Sequence, residues 1–199
     1  MYDFFEGIVA SKSPELLVIN VSGVGYALFV SQKTLESCPH AGERVKILAH
    51  LLVREDAMTL YGFSSVEERE MFKKLIAVTR VGPKLALSIL SILSPTDLAI
   101  AVMTGDMAAL TQVPGIGKKA AERIVLELKE KVAESMNTAV TVEGQAGAGD
   151  AAAEAIHALV SLGYSSAEAA RAVTQAGPES MDVEKIVLTA LKKLGEKLG

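Results

Sequence analysis

Two stretches of this 199-residue chain are versions of one pattern set 35 residues apart. Leu75-Ile-Ala-Val78-Thr-Arg80-Val81-Gly82-Pro83-Lys84-Leu-Ala86 lies over Leu110-Thr-Gln-Val113-Pro-Gly115-Ile116-Gly117-Lys118-Lys119-Ala-Ala121, and further on Ile89 and Leu90 lie over Ile124 and Val125. In each copy a helix-like apolar segment runs into a tight glycine turn, then a lysine, then a second helix. A helix start exposes backbone N–H groups with no intrahelical partner and carries partial positive charge. A phosphate satisfies both. Gly82 and Gly117 leave no side chain in the way and are expected to supply positive φ. Lys84 and Lys119 add positive charge at the same place, with Lys118 and Arg123 close by in the second copy. Such contacts grip a nucleic-acid backbone without reading its bases. One copy alone is equally well an ordinary αα-hairpin; the matched pair favours phosphate binding.

Charge is consistent with a local contact. The whole chain carries −4, but residues 1–63, 64–135 and 136–199 carry −2, +1 and −3. Only the middle third is positive, so any attraction to phosphate is confined to it.

The first third reads as β structure. Phe5–Ala10, Leu16–Val21, Tyr26–Val30, Arg44–Leu52 and Met58–Phe63 are short, rich in β-branched residues and separated by turn signals such as Ser13-Pro14 and Ser22-Gly23. Arg44, Lys46, Leu48 and His50 alternate with Val45, Ile47, Ala49 and Leu51, the period of a half-buried strand. Five short strands in about 60 residues suit a small closed barrel of the OB type, which leaves no open edge.

From Val66 the pattern is helical, with Met71, Phe72, Leu75, Ile76 and Val78 at three- and four-residue spacing, and it continues to about Glu134. Asn137 to Asp150 has small residues, three glycines and no apolar stripe, and is expected to be a flexible linker. The last 49 residues suggest three short helices. The expected division is therefore a barrel over 1–63, a tandem helix–hairpin–helix unit over 64–136, a linker over 137–150 and a three-helix unit over 151–199. The fold class is α+β.

Several chemistries find no support. No stretch approaches the roughly 18 to 20 apolar residues that cross a bilayer, and the N-terminus bears acids where a secretory signal bears bases, so a cytoplasmic protein is expected. Cys38 is the only cysteine, and His40, His50 and His157 lack metal-ligand spacing. No cofactor or metal is expected. The Gly–four residues–Gly-Lys-Ser/Thr spacing of a nucleotide P-loop is absent, so ATP hydrolysis is not expected. Glu55 and Asp56 form an acidic pair at a hairpin tip; a solvated turn is the plain reading. A two-metal nuclease needs further converging acids, and a base-flipping glycosylase needs a pocket for which three small units leave little room.

Several separated motifs, in order, resemble the RuvA family, the junction-binding subunits of bacterial branch-migration complexes. They are Gly23-Val-Gly25-Tyr26, Val53-Arg54-Glu55-Asp56-Ala57 with Leu60-Tyr61-Gly62-Phe63, Val81 to Leu87, Leu110, Pro114-Gly-Ile-Gly-Lys-Lys119, Ala121-Glu-Arg123, and Leu159 to Tyr164. The resemblance implies an OB-fold barrel, a tandem helix–hairpin–helix domain and a mobile C-terminal three-helix domain. It implies a homotetramer, with an octamer on DNA as the larger form, that holds a four-way junction open during recombination, DNA repair and the SOS response. Its partners would be a RuvB-type hexameric AAA+ motor and a RuvC-type resolvase, and the chain itself would be no enzyme. The repeat and the resemblance together place phosphate contacts at Arg80, Val81, Gly82, Lys84, Gly115, Ile116, Gly117, Lys118, Lys119 and Arg123. The resemblance makes Glu55 and Asp56 an acidic pin at the crossover, and Leu159, Leu162 and Tyr164 candidate motor contacts. One departure stands out: Arg80 replaces the family's usual glycine, opposite Gly115, which puts in doubt whether both turns share one backbone geometry. A generic helix–hairpin–helix scaffold with no junction preference is the alternative.

Overall fold

A computed structural model describes residues 2–140, 151–177 and 182–196. Strands β1 (Phe4–Ser13), β2 (Leu16–Val21), β3 (Val24–Val30), β4 (Arg44–Val53) and β5 (Met58–Phe63) close a barrel in the order β1-β2-β3-β5-β4. Every pairing is antiparallel except β3 with β5, where Leu28 faces Leu60. Alternation does what the period of two requires: Phe5, Val9, Leu17, Ile19, Leu28, Val30, Ile47 and Ala49 fill the interior. Gly62 lets β5 pass close to the filling, since a Cβ there would lie 2.9 Å from Ile47 and 3.0 Å from Val30.

A short helix unforeseen in the sequence, α1 (Gln32–Ser37), plugs one end of the barrel with Leu35 and is capped by Ser31. The chain then turns into α2 (Val66–Ile76), α3 (Pro83–Ile92), α4 (Pro95–Thr104), α5 (Met107–Thr111) and α6 (Lys118–Val140). Phe72 on α2 packs on Phe63 (4.9 Å between ring centroids) and Tyr61 (5.0 Å), which seats the helices on the barrel. Helix α6 runs through Asn137 to Val140, where a linker was expected. No glycine or proline stands before Gly144 to stop it, and propagating a formed helix adds one hydrogen bond per residue. The remainder of the expected linker, residues 141–150, lies outside the described residues.

Three C-terminal helices follow, α7 (Ala151–Ser161), α8 (Ser166–Ala176) and α9 (Val183–Glu196). They pack on one another and against α4 and α6, sharing one apolar core with the hairpin helices. The buried Tyr164 hydroxyl lies 2.6 Å from Thr96 Oγ1, and Lys129 on α6 stands 4.0 Å from Glu184 on α9. Burial pushes the Tyr164 phenol pKa upward. The resemblance implied a C-terminal three-helix unit, and its helices lie here against α4 and α6. Leu159, Leu162 and Tyr164 are all buried, so in this arrangement they offer no face to a motor. Leu159 lies within α7 and Leu162 and Tyr164 in the turn that follows it, and all three contribute to the core.

Candidate nucleic-acid interface

The two hairpins share three backbone hydrogen bonds at matching positions. In the first, Val78 N donates to Leu75 O (3.0 Å), Val81 N to Val78 O (3.1 Å) and Ala86 N to Gly82 O (3.0 Å). In the second, Val113 N donates to Leu110 O (3.1 Å), Ile116 N to Val113 O (3.0 Å) and Ala121 N to Gly117 O (3.0 Å). Every one of these pairs is related by the 35-residue offset. The apolar positions match too: Leu75, Val78, Val81, Ala86 and Ile89 are buried, as are Leu110, Val113, Ile116, Ala121 and Ile124.

Positive φ falls where the sequence reading did not put it. Gly82 has φ −84°, and Gly117 is likewise outside the left-handed region. The left-handed residues are Arg80 (φ 65°) and Gly115 (φ 89°), again 35 apart. Arg80 thus takes the conformation that its glycine counterpart takes freely, and the expected difference between the turns is absent. The cost for a residue bearing a Cβ is of order 1–2 kcal/mol. A Cβ at Gly82 or Gly117 would meet nothing within 4 Å, so no packing inside the protein calls for glycine at either. Both turns face open space.

The side chains of Val81 and Ile116 are 7% and 5% exposed, and their amides donate within the turn, to Val78 O and Val113 O. These two residues anchor the hairpins. The amides left over are those at the helix starts.

Electrostatics sets those starts apart from the others; α1 also has no first-turn acid, but Glu68 is hydrogen-bonded to Ser31 and Thr34 at its start. Helices α2, α4 and α8 begin with a serine cap and carry Glu67 and Glu68, Asp97 and Glu168 in their first turns; α5 is capped by Asp106. Each supplies its own anion to the positive end. Helix α3 has no side-chain cap, and neither α3 nor α6 has an acid in its first turn. Their positive ends stay uncompensated. Arg80, Lys84, Lys118 and Lys119 are exposed and Arg123 half-buried, and among the described residues no ion pair neutralises any of them. Glu127 on α6 accepts from Thr79 N (2.9 Å) and so ties the second motif to the first turn.

At the far end of β4 and β5, Arg54 N donates to Ala57 O (2.8 Å) and closes a tight hairpin. Glu55 and Asp56 project from it, exposed. Among the described residues, no group of three His, Cys, Asp or Glu could hold a metal, and no single helix is long and apolar enough to cross a membrane. Half-buried His50 packs edge-on to Phe72, with its pKa lowered by burial and by Lys73 and Arg69.

Sequence reading missed the contrast between capped and uncapped helix starts, although Ser65, Ser94, Asp106 and Ser165 were its visible signal. It also passed over Glu68, which is buried.

A closed five-stranded barrel joined to two superposable hairpins with bare, outward-facing helix starts defines a tandem helix–hairpin–helix protein of the backbone-gripping class. Comparison with known families agrees at each segment. The model of the RuvA N terminal domain matches residues 1–62, the SAM-like helix-hairpin-helix tandem matches 72–130, and the RuvA C-terminal domain matches 150–195. The chain is 42% identical over 199 residues to the Holliday junction branch migration complex subunit RuvA of Acetivibrio thermocellus, covering 98% of both chains. It is 46% identical over 188 residues to the protein of the same name from Methylibium petroleiphilum, covering 94% of this chain and 96% of that one. The chain belongs to the RuvA family.

Proposed function

We propose that this chain binds four-way DNA junctions by their backbones and holds them open for branch migration, without catalysing a reaction itself. The observation that carries the reading is the pair of hairpins with one geometry, each ending in a helix start that lacks an anion of its own. Phosphates supply the missing charge, with Gly82 and Gly117 allowing close approach and Arg80, Lys84, Lys118, Lys119 and Arg123 adding cations around them. Such recognition follows the shape of the DNA and ignores its sequence.

In a homotetramer the exposed tips at Glu55 and Asp56 meet near the axis, where strands cross. Carboxylates there repel phosphates and keep the crossover open, most strongly where protein excludes water. Motion of DNA through the site requires an ATP-driven partner, for which a RuvB-type AAA+ hexamer is the candidate. A RuvC-type resolvase would act on the same opened junction, and a second tetramer would complete an octamer. The setting is the cytoplasm.

Neutralising the tip with Glu55→Gln and Asp56→Asn should leave junction affinity unchanged or raise it, while altering the rate of motor-driven branch migration. An unchanged rate removes the pin role. The non-catalytic reading is tested separately by incubating the chain with synthetic junctions and magnesium: strand cleavage contradicts it.

A further inference from the structure

Glu68 is a carboxylate in the first turn of α2 and only 5% exposed. Its Oε1 accepts from Ser31 Oγ (2.5 Å), and its Oε2 accepts from Thr34 Oγ1 (2.5 Å), Ser64 N (3.0 Å) and Ser64 Oγ (3.1 Å). Ser31 and Thr34 are the cap and first turn of α1 and are themselves fully buried. Among the described residues no ion pair reaches Glu68. A carboxylate removed from water without a cation is tolerated only where directed donors surround it. An apolar side chain of similar size would fill the place without that desolvation cost.

Elsewhere the seam is apolar in its interior, with Phe72 lying on Phe63, Tyr61 and His50, and at its exposed edge Arg69 of α2 donates to Asp3 Oδ1 (2.6 Å) and Asp3 O (3.1 Å). Apolar contact is strong but non-directional, so it tolerates small rotations. Hydrogen bonds from two hydroxyls of the barrel's plug helix to one carboxylate of α2 do not. A second strap, Gln32 N to Ser91 Oγ (2.9 Å), joins α1 to α3.

We propose that Glu68 is a positioning residue for junction selectivity: it locks the barrel, and with it the Glu55–Asp56 tip, at one angle to the two hairpins. The inference rests on the junction-binding reading. Strand β5, Met58–Phe63, carries the tip away from this seam. Six residues at about 3.3 Å each make a lever of about 20 Å, on which a rotation of about 10° moves the tip by about 3.5 Å. Helix α2 leads directly into the first hairpin, so the other end of the lever is fixed to the phosphate grip. Linear duplex needs only the grip. A four-way junction must also admit the tip, and a tip out of register sets the carboxylates of Glu55 and Asp56 against its phosphates.

The test compares Glu68→Gln with Glu68→Leu. Glutamine keeps the bonds at Oε2, where its carbonyl takes the place of that oxygen, and reverses the fourth, its amide donating to Ser31 Oγ. Leucine fills the volume and makes none. Two quantities are read: the ratio of junction to linear-duplex affinity, and the distance distribution between spin labels at Ala57→Cys and Gln112→Cys. The labels are placed in a Cys38→Ala background, and labelled chain is diluted into unlabelled. We expect E68Q to match the wild-type chain on both. In E68L linear-duplex affinity should stay within about twofold, while junction preference falls about tenfold or more and the distribution broadens. If E68L does not fold, the pair Ser31→Ala and Thr34→Val removes one donor to each carboxylate oxygen and is read in the same way. A narrow distribution with wild-type selectivity in E68L overturns the positioning role, as does a parallel loss of both affinities. Equal binding of the two DNAs by the wild-type chain would instead contradict the junction reading, and the label distances keep the two failures apart.

Discussion

The first and second hairpins share their hydrogen bonds, their buried residues and their left-handed position, yet differ at that position and at the helix start. The second has Gly115 where left-handed backbone is needed and Lys118 at the first helical residue. The first has Arg80 and Pro83. Proline at the start of α3 is pre-set for helical φ and forfeits an amide that has no partner inside the helix anyway. Arginine in the left-handed region is strained. Because the first turn keeps the same bonds despite Arg80, its shape is set by what lies beneath it, chiefly the buried Val78 and Val81 and the amide bonds linking them. The left-handed residue follows from that anchoring. It does not dictate it.

The largest effect should therefore come from the anchors. Val81→Asp and Ile116→Asp each bury a charge with no partner and should destabilise by about 3–5 kcal/mol, by similar amounts in the two hairpins, in chemical denaturation. A harmless Val81→Asp would mean that the first turn is held by something else.

Next come the cations. Lys84→Glu and Lys119→Glu should each weaken binding of junction and linear duplex by about 10- to 100-fold, and reduce the slope of log affinity against log salt by about one or more. The Lys84 change should be the more damaging, since Lys118 and Arg123 remain in the second hairpin while only Arg80 remains in the first.

Smaller effects come from exchanging the left-handed residues. Gly115→Arg should cost about 1–2 kcal/mol of stability by placing a Cβ in the left-handed region. Arg80→Gly should change stability by less than about 0.5 kcal/mol, because relief of strain is offset by the greater freedom of glycine in the unfolded chain. Its effect should appear in binding, as a few-fold loss at low salt when the guanidinium is removed. A stabilised Arg80→Gly with undiminished affinity would show that Arg80 is strained to no purpose in binding.

The sequence revealed those parts of the molecule that depend on neighbours close along the chain. The strands of the barrel fell within a few residues of their observed ends, because alternation and turn residues are local signals. The repeat disclosed both hairpins, since an offset of 35 residues survives in the residues themselves. Three things were hidden. Helix α1 is a single short run with only its Ser31 cap to announce it. Glu68 looked like one more polar residue on an amphipathic helix, because its partners Ser31 and Thr34 lie 37 and 34 residues away and no periodicity joins them. The left-handed residues were assigned to the wrong glycines, since glycine content alone does not distinguish a residue chosen for φ from one chosen for lack of a side chain. Leu159, Leu162 and Tyr164 show the same ambiguity: apolar residues in a small helical unit fit a core and a partner face equally, and only packing against α4 and α6 separates them.

The most direct test of the two-hairpin grip is a competition titration of the wild-type chain and a Lys84→Glu, Lys119→Glu double variant against four-way and linear DNA at one stated salt concentration. The account predicts that the wild-type chain prefers the four-way junction and that the double variant loses affinity for both DNAs while remaining folded. Wild-type binding that does not distinguish the two DNAs, or a folded double variant that holds the junction as tightly as before, would contradict it.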